Sequence, residues 1–368
     1  MKKVWKWMVS FVVCIMITAA IPVAAANGVA TETKSSAKQP SIDGKAGIVM
    51  DAKSGKILYA KNIDEKHYPA SITKILTTLV AIENCDDLYE EVTFSTEAVN
   101  NLEEGSTHIG IKAGEKIPML DVLYGIMLES ANEACNGAAE HIAGSNEEFV
   151  KLMNKKAEEL GCDNSHFVTT NGLHDKNHYV TARDMATITK AALENDTFRQ
   201  VACSVHYQMT PTNKEKEGRQ LWNHHKMVKK TMFPYKGVEG GKTGYTTKAG
   251  GTLVTFAKRG DQELISVVLQ GNGYELYKDT IKMLDYGFKN YKVITPLKGI
   301  ETTLCEDKCG ILKTGNQLSP YTLSLEDPND ITVMLEKNED ESKLSYRCDG
   351  KYYYVSYNGK EIGKVKIY

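Results

Sequence analysis

The stretch Tyr68-Pro69-Ala70-Ser71-Ile72-Thr73-Lys74-Ile75-Leu76 constrains this chain more than any other. Ile72, Ile75, Leu76 and Leu79 follow the i, i+3, i+4, i+7 spacing of a helix with one apolar face, and Pro69 suits its entrance. A helix so marked must bury that face, and Ser71 and Lys74, three residues apart, then share one side of it. A serine hydroxyl becomes a nucleophile when a base takes its proton, and lysine is such a base where burial or nearby charge leaves its amine neutral. Alone, Ser-x-x-Lys is a weak signal, for it recurs at Ser35 to Lys38 in a polar stretch.

Two elements downstream raise its meaning. Ser130-Ala131-Asn132 follows the apolar run from Val122 to Leu128, with a spacing that predicts a loop between helices. A hydroxyl and an amide two residues apart can face one cleft, the first relaying a proton and the second binding a substrate amide. Lys242-Thr243-Gly244 precedes a strand near Thr252 and is expected on or beside a sheet edge. Its ammonium and hydroxyl suit a carboxylate, and its glycine admits an extended peptide. Each pattern has a decoy in the tail, Ser356-Tyr357-Asn358 and Lys313-Thr314-Gly315, where surface turns are the expectation.

The N-terminus carries Lys2 and Lys3, an apolar run from about Trp7 to Ala20, and small residues at Val23-Ala24-Ala25-Ala26. That is the make-up of an export signal over residues 1–26, with a retained anchor as its alternative. Val13 before Cys14 argues against lipidation, which needs a small residue there. The whole chain has a formal charge of −2; losing Lys2, Lys3 and Lys6 takes it to −5 (−2 minus 3). A mildly acidic chain of this kind gives no case for nucleic-acid binding. Of 8 cysteines, Cys14 lies in the leader. The odd, scattered remainder argues against a full disulfide framework, with only Cys305 and Cys309 spaced for a local bridge.

Residues 27–43 are expected as a flexible lead-in, 44–294 as the catalytic domain and 295–368 as a small all-β domain. Within the catalytic span, Ala46–Met50 and Lys56–Ala60 predict a hairpin, 84–118 an irregular stretch, and Met119–Ala143 mostly helix. A helix from Asn146 ends at Gly161, a loop covers Asn171–His178, and a helix begins near Thr181. Strands Thr252–Lys258 and Glu263–Leu269 precede a helix from about Tyr277 to Lys289. Beyond it, Ile331–Leu335, Tyr352–Val355 and Glu361–Ile367 alternate as strands.

Ser-x-x-Lys, Ser-x-Asn and Lys-Thr-Gly in this order are together a strong signal. With Ile48–Gly55, Thr170–His174, Thr181–Met185 and Gly241–Thr246, they make the chain resemble the low-molecular-mass penicillin-binding proteins, specifically the serine-type D-alanyl-D-alanine carboxypeptidases. The resemblance implies an α/β (α+β) fold of the penicillin-binding-protein and β-lactamase type: an antiparallel sheet with a helical subdomain, followed by the β domain. It implies Ser71 as nucleophile, Lys74 as base and Ser130 as proton relay. Asn132, Lys242, Thr243, Gly244 and Tyr245 would bind substrate, with the Ser71 and Tyr245 N–H groups as oxyanion hole, a contribution of about 3 kcal/mol per donor. The implied partners are peptidoglycan stem peptides ending in D-Ala-D-Ala, with β-lactams as covalent inhibitors and no cofactor. Family members often end in a membrane anchor, which Gly359–Tyr368 does not resemble. An arginine that the family commonly carries ahead of an aspartate like Asp279 is here Leu276, with Lys278 as its possible stand-in.

Three alternatives stand beside this. A class A β-lactamase needs Glu-x-x-Leu-Asn between Ser130 and Lys242, and no such pattern exists. A catalytically silent wall-binding or β-lactam-sensing homologue would lack one of the reacting residues, and none is missing. His174, Asp175 and His178, with His166 nearby, resemble a metal cluster, but His-x-x-x-His converges only on a helix, and the intervening residues are loop formers. Hydrogen-bonded loop histidines, and no metal site, are the expectation.

Overall fold

The computed structural model of the protein describes residues 37–103, 105–294, 303–304, 310–314, 317–319, 332–348 and 352–366. The leader, most of the lead-in, Cys305, Cys309 and the Asp349-Gly350 turn lie outside the described residues. The first hairpin joins β1 (Ala46–Asp51) to β2 (Ile57–Lys61). Its turn is closed by the Asp51 carboxylate, which accepts the Ser54 N–H at 2.7 Å and the Ser54 hydroxyl at 2.6 Å. Gly55 follows at φ +72°, a left-handed position open to glycine without strain.

A 3₁₀ turn, Ala70–Thr73, leads into α1 (Lys74–Glu83). Residues 84–118, expected as irregular, hold β3 (Glu91–Thr93), α2 (Thr96–Asn100) and β4 (Lys116–Pro118). β3 buries only Val92 and exists because β4 pairs with it; a three-residue piece is too short to display a period of its own. The helical stretch then divides into α3 (Met119–Leu128) and α4 (Asn132–Ala143), broken at Ser130. α5 (Asn146–Glu159) is capped by the Ser145 hydroxyl and stops before Gly161, at φ +72°. α6 (Ala182–Leu193) begins where the sequence predicts, its N-terminus capped by the Thr181 side chain. α7 (Asp196–Cys203) and the short ladder of β5 (His206–Gln208) and β6 (Gln220–Trp222) complete the helical side.

Next come β7 (Val238–Thr246), β8 (Gly250–Arg259) and β9 (Gln262–Gly271), then α8 (Glu275–Asn290) and β10 (Tyr291–Ile294). The main sheet is antiparallel, in the order β2-β1-β9-β8-β7, so β7 is an edge strand. Its central strands β8 and β9 are buried along most of their length because both faces are covered. Val254, Phe256, Ile265, Val267 and Leu269 pack toward the helices α1 to α7, whereas Leu253, Ala257, Leu264 and Val268 pack under α8. That split follows the two-residue period of a strand.

The tail contributes β11 (Thr303–Leu304), β12 (Gly310–Thr314), β13 (Gln317–Ser319) and β14 (Val333–Glu336). It ends in a meander of β15 (Leu344–Cys348), β16 (Tyr352–Tyr357) and β17 (Lys360–Lys366). β14 pairs with β10, and Met334 joins the apolar layer under α8, so the tail is joined to the catalytic span by both backbone and side chain.

Candidate active site

The Ser71 turn is strained on one side and clamped on the other. Ala70 takes φ +52°, which costs energy for a residue with a side chain. Gly172 stands against it so closely that a Cβ there would lie 1.9 Å from the Ala70 carbonyl oxygen. On the far side, the Thr252 hydroxyl donates to the Pro69 carbonyl at 2.8 Å. β7 passes close enough that a Cβ on Gly244 would lie 2.8 Å from Ser71 N and 3.1 Å from Ile72 N. Only a residue without a side chain permits this approach.

Lys74 opens α1 and is wholly buried. Its Nζ lies 3.0 Å from Ser71 Oγ, 2.7 Å from Asn132 Oδ1 and 2.7 Å from the Asn171 carbonyl oxygen. Two of these partners only accept, whereas the hydroxyl can accept or donate. A neutral amine therefore spends its two hydrogens on Asn132 and Asn171 and turns its lone pair to Ser71. Burial brings the Lys74 pKa down to about 8, opposed by the nearby Glu133 carboxylate. Glu133 is itself buried, its Oε1 held by the Ile109 N–H at 2.7 Å.

Lys242 is the second buried cation. On β7 it shares a face with Gly244, two residues on, which meets the Ser71 turn. Burial and the Lys74 ammonium lower its pKa to about 7, and its Nζ donates to the Thr243 carbonyl at 3.1 Å. A Lys242 ammonium in this desolvated cleft makes a site for an anion. Tyr245 turns its ring to solvent, 72% exposed, so it offers the cleft its backbone. Ser130 sits between α3 and α4 at φ +61°, its Oγ buried and without a hydrogen-bond partner among the described residues.

Residues from all three motifs thus converge, Lys74 touching both Ser71 and Asn132, and β7 lying against the Ser71 turn. Sequence reasoning missed the Asn171 carbonyl, Thr252 and the closeness of Gly172. A backbone oxygen has no sequence signature, although Asn171 and Gly172 stood within a stretch already singled out. Leu276 is no part of the cleft lining in any polar sense: it is buried, packed where Cβ atoms on Gly251 and Gly271 would lie 2.4 and 2.6 Å away. Lys278 is exposed and its Nζ is held by Glu275 at 2.5 Å, which argues against it as a substitute for arginine. His178 is a hydrogen-bonded loop histidine. Its Nδ1 accepts the Val168 and Thr169 N–H groups at 3.3 and 3.2 Å, and its Nε2 meets the Thr73 hydroxyl at 3.0 Å. Burial lowers its pKa to about 3, so the ring is neutral.

Comparison with known proteins bears on the family and the fold. A family model described as D-alanyl-D-alanine carboxypeptidase matches residues 33–273. The D-alanyl-D-alanine carboxypeptidase DacF of Bacillus subtilis is 31% identical over 332 residues, 84% of this chain and 82% of the relative. DacC of Escherichia coli is 35% identical over 269 residues, 70% of this chain and 64% of the relative. Among solved structures, the Streptomyces K15 DD-transpeptidase superposes with a TM-score of 0.64 at 27% identity, covering 69% of this chain and 100% of that one. Penicillin-binding protein 6B of Escherichia coli superposes with a TM-score of 0.70 over 90% of this chain and 97% of that one; at 24% identity it speaks to the fold alone.

Proposed function

The chain belongs to the D-alanyl-D-alanine carboxypeptidase family of serine peptidases, and from that premise we propose that Ser71 attacks the carbonyl between the two terminal D-alanines of a peptidoglycan stem peptide. The observation that carries this assignment is Lys74, fully buried with its Nζ 3.0 Å from Ser71 Oγ and its pKa lowered to about 8. In the proposed course, neutral Lys74 takes the hydroxyl proton as the Ser71 Oγ–C bond forms. The N–H groups of Ser71 and Tyr245 hold the developing oxyanion. As the C–N bond breaks, the proton passes from Lys74 through Ser130 to the departing amine, which leaves as D-alanine. Water then attacks the ester with Lys74 again as base, and the shortened peptide is freed.

Asn132 binds the acyl side, while Lys242 and Thr243, beside Gly244, hold the terminal carboxylate. Here the two lysines work as a pair. A carboxylate favours the proton on Lys242, and by reciprocity that positive charge disfavours an ammonium at Lys74. Substrate binding therefore helps create its own base. β-Lactams carry a strained amide and a carboxylate and would acylate Ser71 in the same way.

Residues 1–26 act as an export signal in this proposal, 44–294 as the catalytic domain and 295–368 as its β appendage, with the substrate outside the cytoplasmic membrane. Among the described residues no helix is long and apolar enough to cross a membrane. Incubating the purified protein with penicillin and measuring intact mass tests the nucleophile: one adduct is expected, and covalent uptake by Ser71→Ala would overturn it. Release of D-alanine from a peptide ending in D-Ala-D-Ala, faster than hydrolysis of penicillin, is expected of a carboxypeptidase. Neither activity would leave a silent homologue.

A further inference from the structure

Ser130 is held in a left-handed conformation that its own type does not favour, and its hydroxyl is not tethered by any described residue. Something must keep that turn in place. Its neighbour Glu129 commits both carboxylate oxygens to a single distant segment: Oε1 accepts the Trp222 N–H at 2.6 Å, and Oε2 lies 2.7 Å from His224 Nε2. The Leu128 carbonyl accepts the His224 N–H at 3.3 Å. Leu128 and Glu129, just before Ser130, are thus strapped to Trp222 and His224 by three contacts. Beyond Ser130, the Ala131 N–H donates to the Gly125 carbonyl at 3.1 Å and the Asn132 N–H to the Thr107 carbonyl at 2.9 Å.

That segment also reaches the other half of the cleft. His225 is buried against β7, where a Cβ on Gly241 would lie 2.8 and 2.9 Å from its ring atoms, and its Nε2 meets the Thr255 hydroxyl at 2.8 Å. Asn223, buried between Trp222 and His224, accepts the His225 N–H at 2.8 Å and donates to the Ser204 carbonyl at 3.0 Å. Four consecutive residues therefore grip the Ser130 turn on one side and the strand of Lys242 on the other. Burial anchors the segment; Glu129 connects the turn to it.

We propose that Glu129 is a positioning residue for the proton relay, its carboxylate bridging the Trp222 N–H and His224 so that the Ser130 hydroxyl stays in line between Lys74 and the leaving amine. The inference rests on the relay role given to Ser130. It predicts a selective loss. An amide leaves as an amine and needs its proton in the transition state, whereas the ester of a D-lactate terminus leaves as a far less basic oxygen and needs it less. Misplacing Ser130 should slow the amide and largely spare the ester. A carboxylate that merely stabilised the fold would affect both alike.

The test measures kcat and KM of the full protein on matched peptides ending in D-Ala-D-Ala and in D-Ala-D-lactate, with thermal midpoints alongside. Glu129→Ala is expected to lower kcat for the amide at least about tenfold, with KM within about twofold and the ester within about threefold. Glu129→Gln keeps an acceptor for Trp222 and a hydrogen-bonding atom for His224, and should recover the amide rate to within about threefold. Ser130→Ala must itself show the amide-selective loss; if it does not, the relay role fails and the inference falls with it. If Ser130→Ala shows that loss and Glu129→Ala slows both substrates equally, or neither, the strap is structural and only the inference is overturned. His224→Ala, at an exposed position, covers the case in which Glu129→Ala does not fold: it should cost the amide at least about threefold more than the ester, and equal effects reject the proposal.

Discussion

Two lysines define the residue scale. Lys74 works as the free amine and Lys242 as the ammonium, and burial lowers both, to about 8 and about 7. The signs are opposite. Acylation at saturating substrate should rise with pH as the base loses its proton, with a midpoint below the free enzyme's value of about 8 because the substrate-held charge on Lys242 disfavours the Lys74 ammonium. Binding of a carboxylate substrate weakens as Lys242, at about 7 in the free enzyme, loses its charge. A bell-shaped kcat/KM profile is therefore expected, with its acid limb in kcat and its alkaline limb in KM. Lys74→Arg keeps the cation and cannot become a base, so turnover should fall below a tenth of wild type, about 1.4 kcal/mol of barrier. A flat acid limb in the native enzyme, measured by stopped-flow acylation, would remove Lys74 from the base role. The Ser71–Lys74 spacing was legible in the sequence because one helical turn is a local property. What makes Lys74 a base was not: the enclosure, and the Asn171 carbonyl contributed from 97 residues away.

At the scale of elements, the site is the place where the edge strand β7 meets the 3₁₀ turn before α1. The distance between them is set by an absent side chain. A methyl on Gly244 would lie 2.4 Å from Thr252 Oγ1 as well as 2.8 Å from Ser71 N, so Gly244→Ala must push the strand away from the nucleophile. Penicillin acylation of Gly244→Ala should drop at least about tenfold, roughly 1.4 kcal/mol, while circular dichroism stays native. An unchanged rate would show that the strand-to-turn distance has slack. Lys-Thr-Gly was expected on or beside a sheet edge from its place just before the strand near Thr252, and β7 is an edge strand. Leu276 went the other way. In sequence it stood as a missing arginine, but its side chain fills the space over Gly251 and Gly271, and two glycines opposite a leucine are visible only once β8, β9 and α8 are packed.

For the whole molecule, the sheet separates two apolar layers, and the tail takes part in the one under α8. Met334 on β14 packs there, its carbonyl accepts from Lys56 Nζ at 2.9 Å, and its sulfur meets Gln262 Nε2 at 3.8 Å. Met334→Ala should cost about 2–3 kcal/mol of stability through lost burial and the cavity left behind. That corresponds to a fall of about 5–10 °C in Tm, with kcat/KM unchanged because the layer lies on the face of the sheet away from α1. A tail that contributes nothing to the fold would leave Tm where it was.

The order of the motifs, the start of a helix near Thr181, the stop of another at Gly161 and the strand runs of β8 and β9 were legible in the sequence alone, since the motifs are written along the chain and the rest depend on neighbours within a turn or on a period of two or three to four residues. The tertiary structure decided what depends on contacts between distant segments. It set the acidity of Lys74 and Lys242, the left-handed Ser130 turn strapped by Glu129 to residues 222–224, and the joining of β10 to β14. Desolvation and close approach are properties of the assembled core, and no stretch of chain carries them by itself.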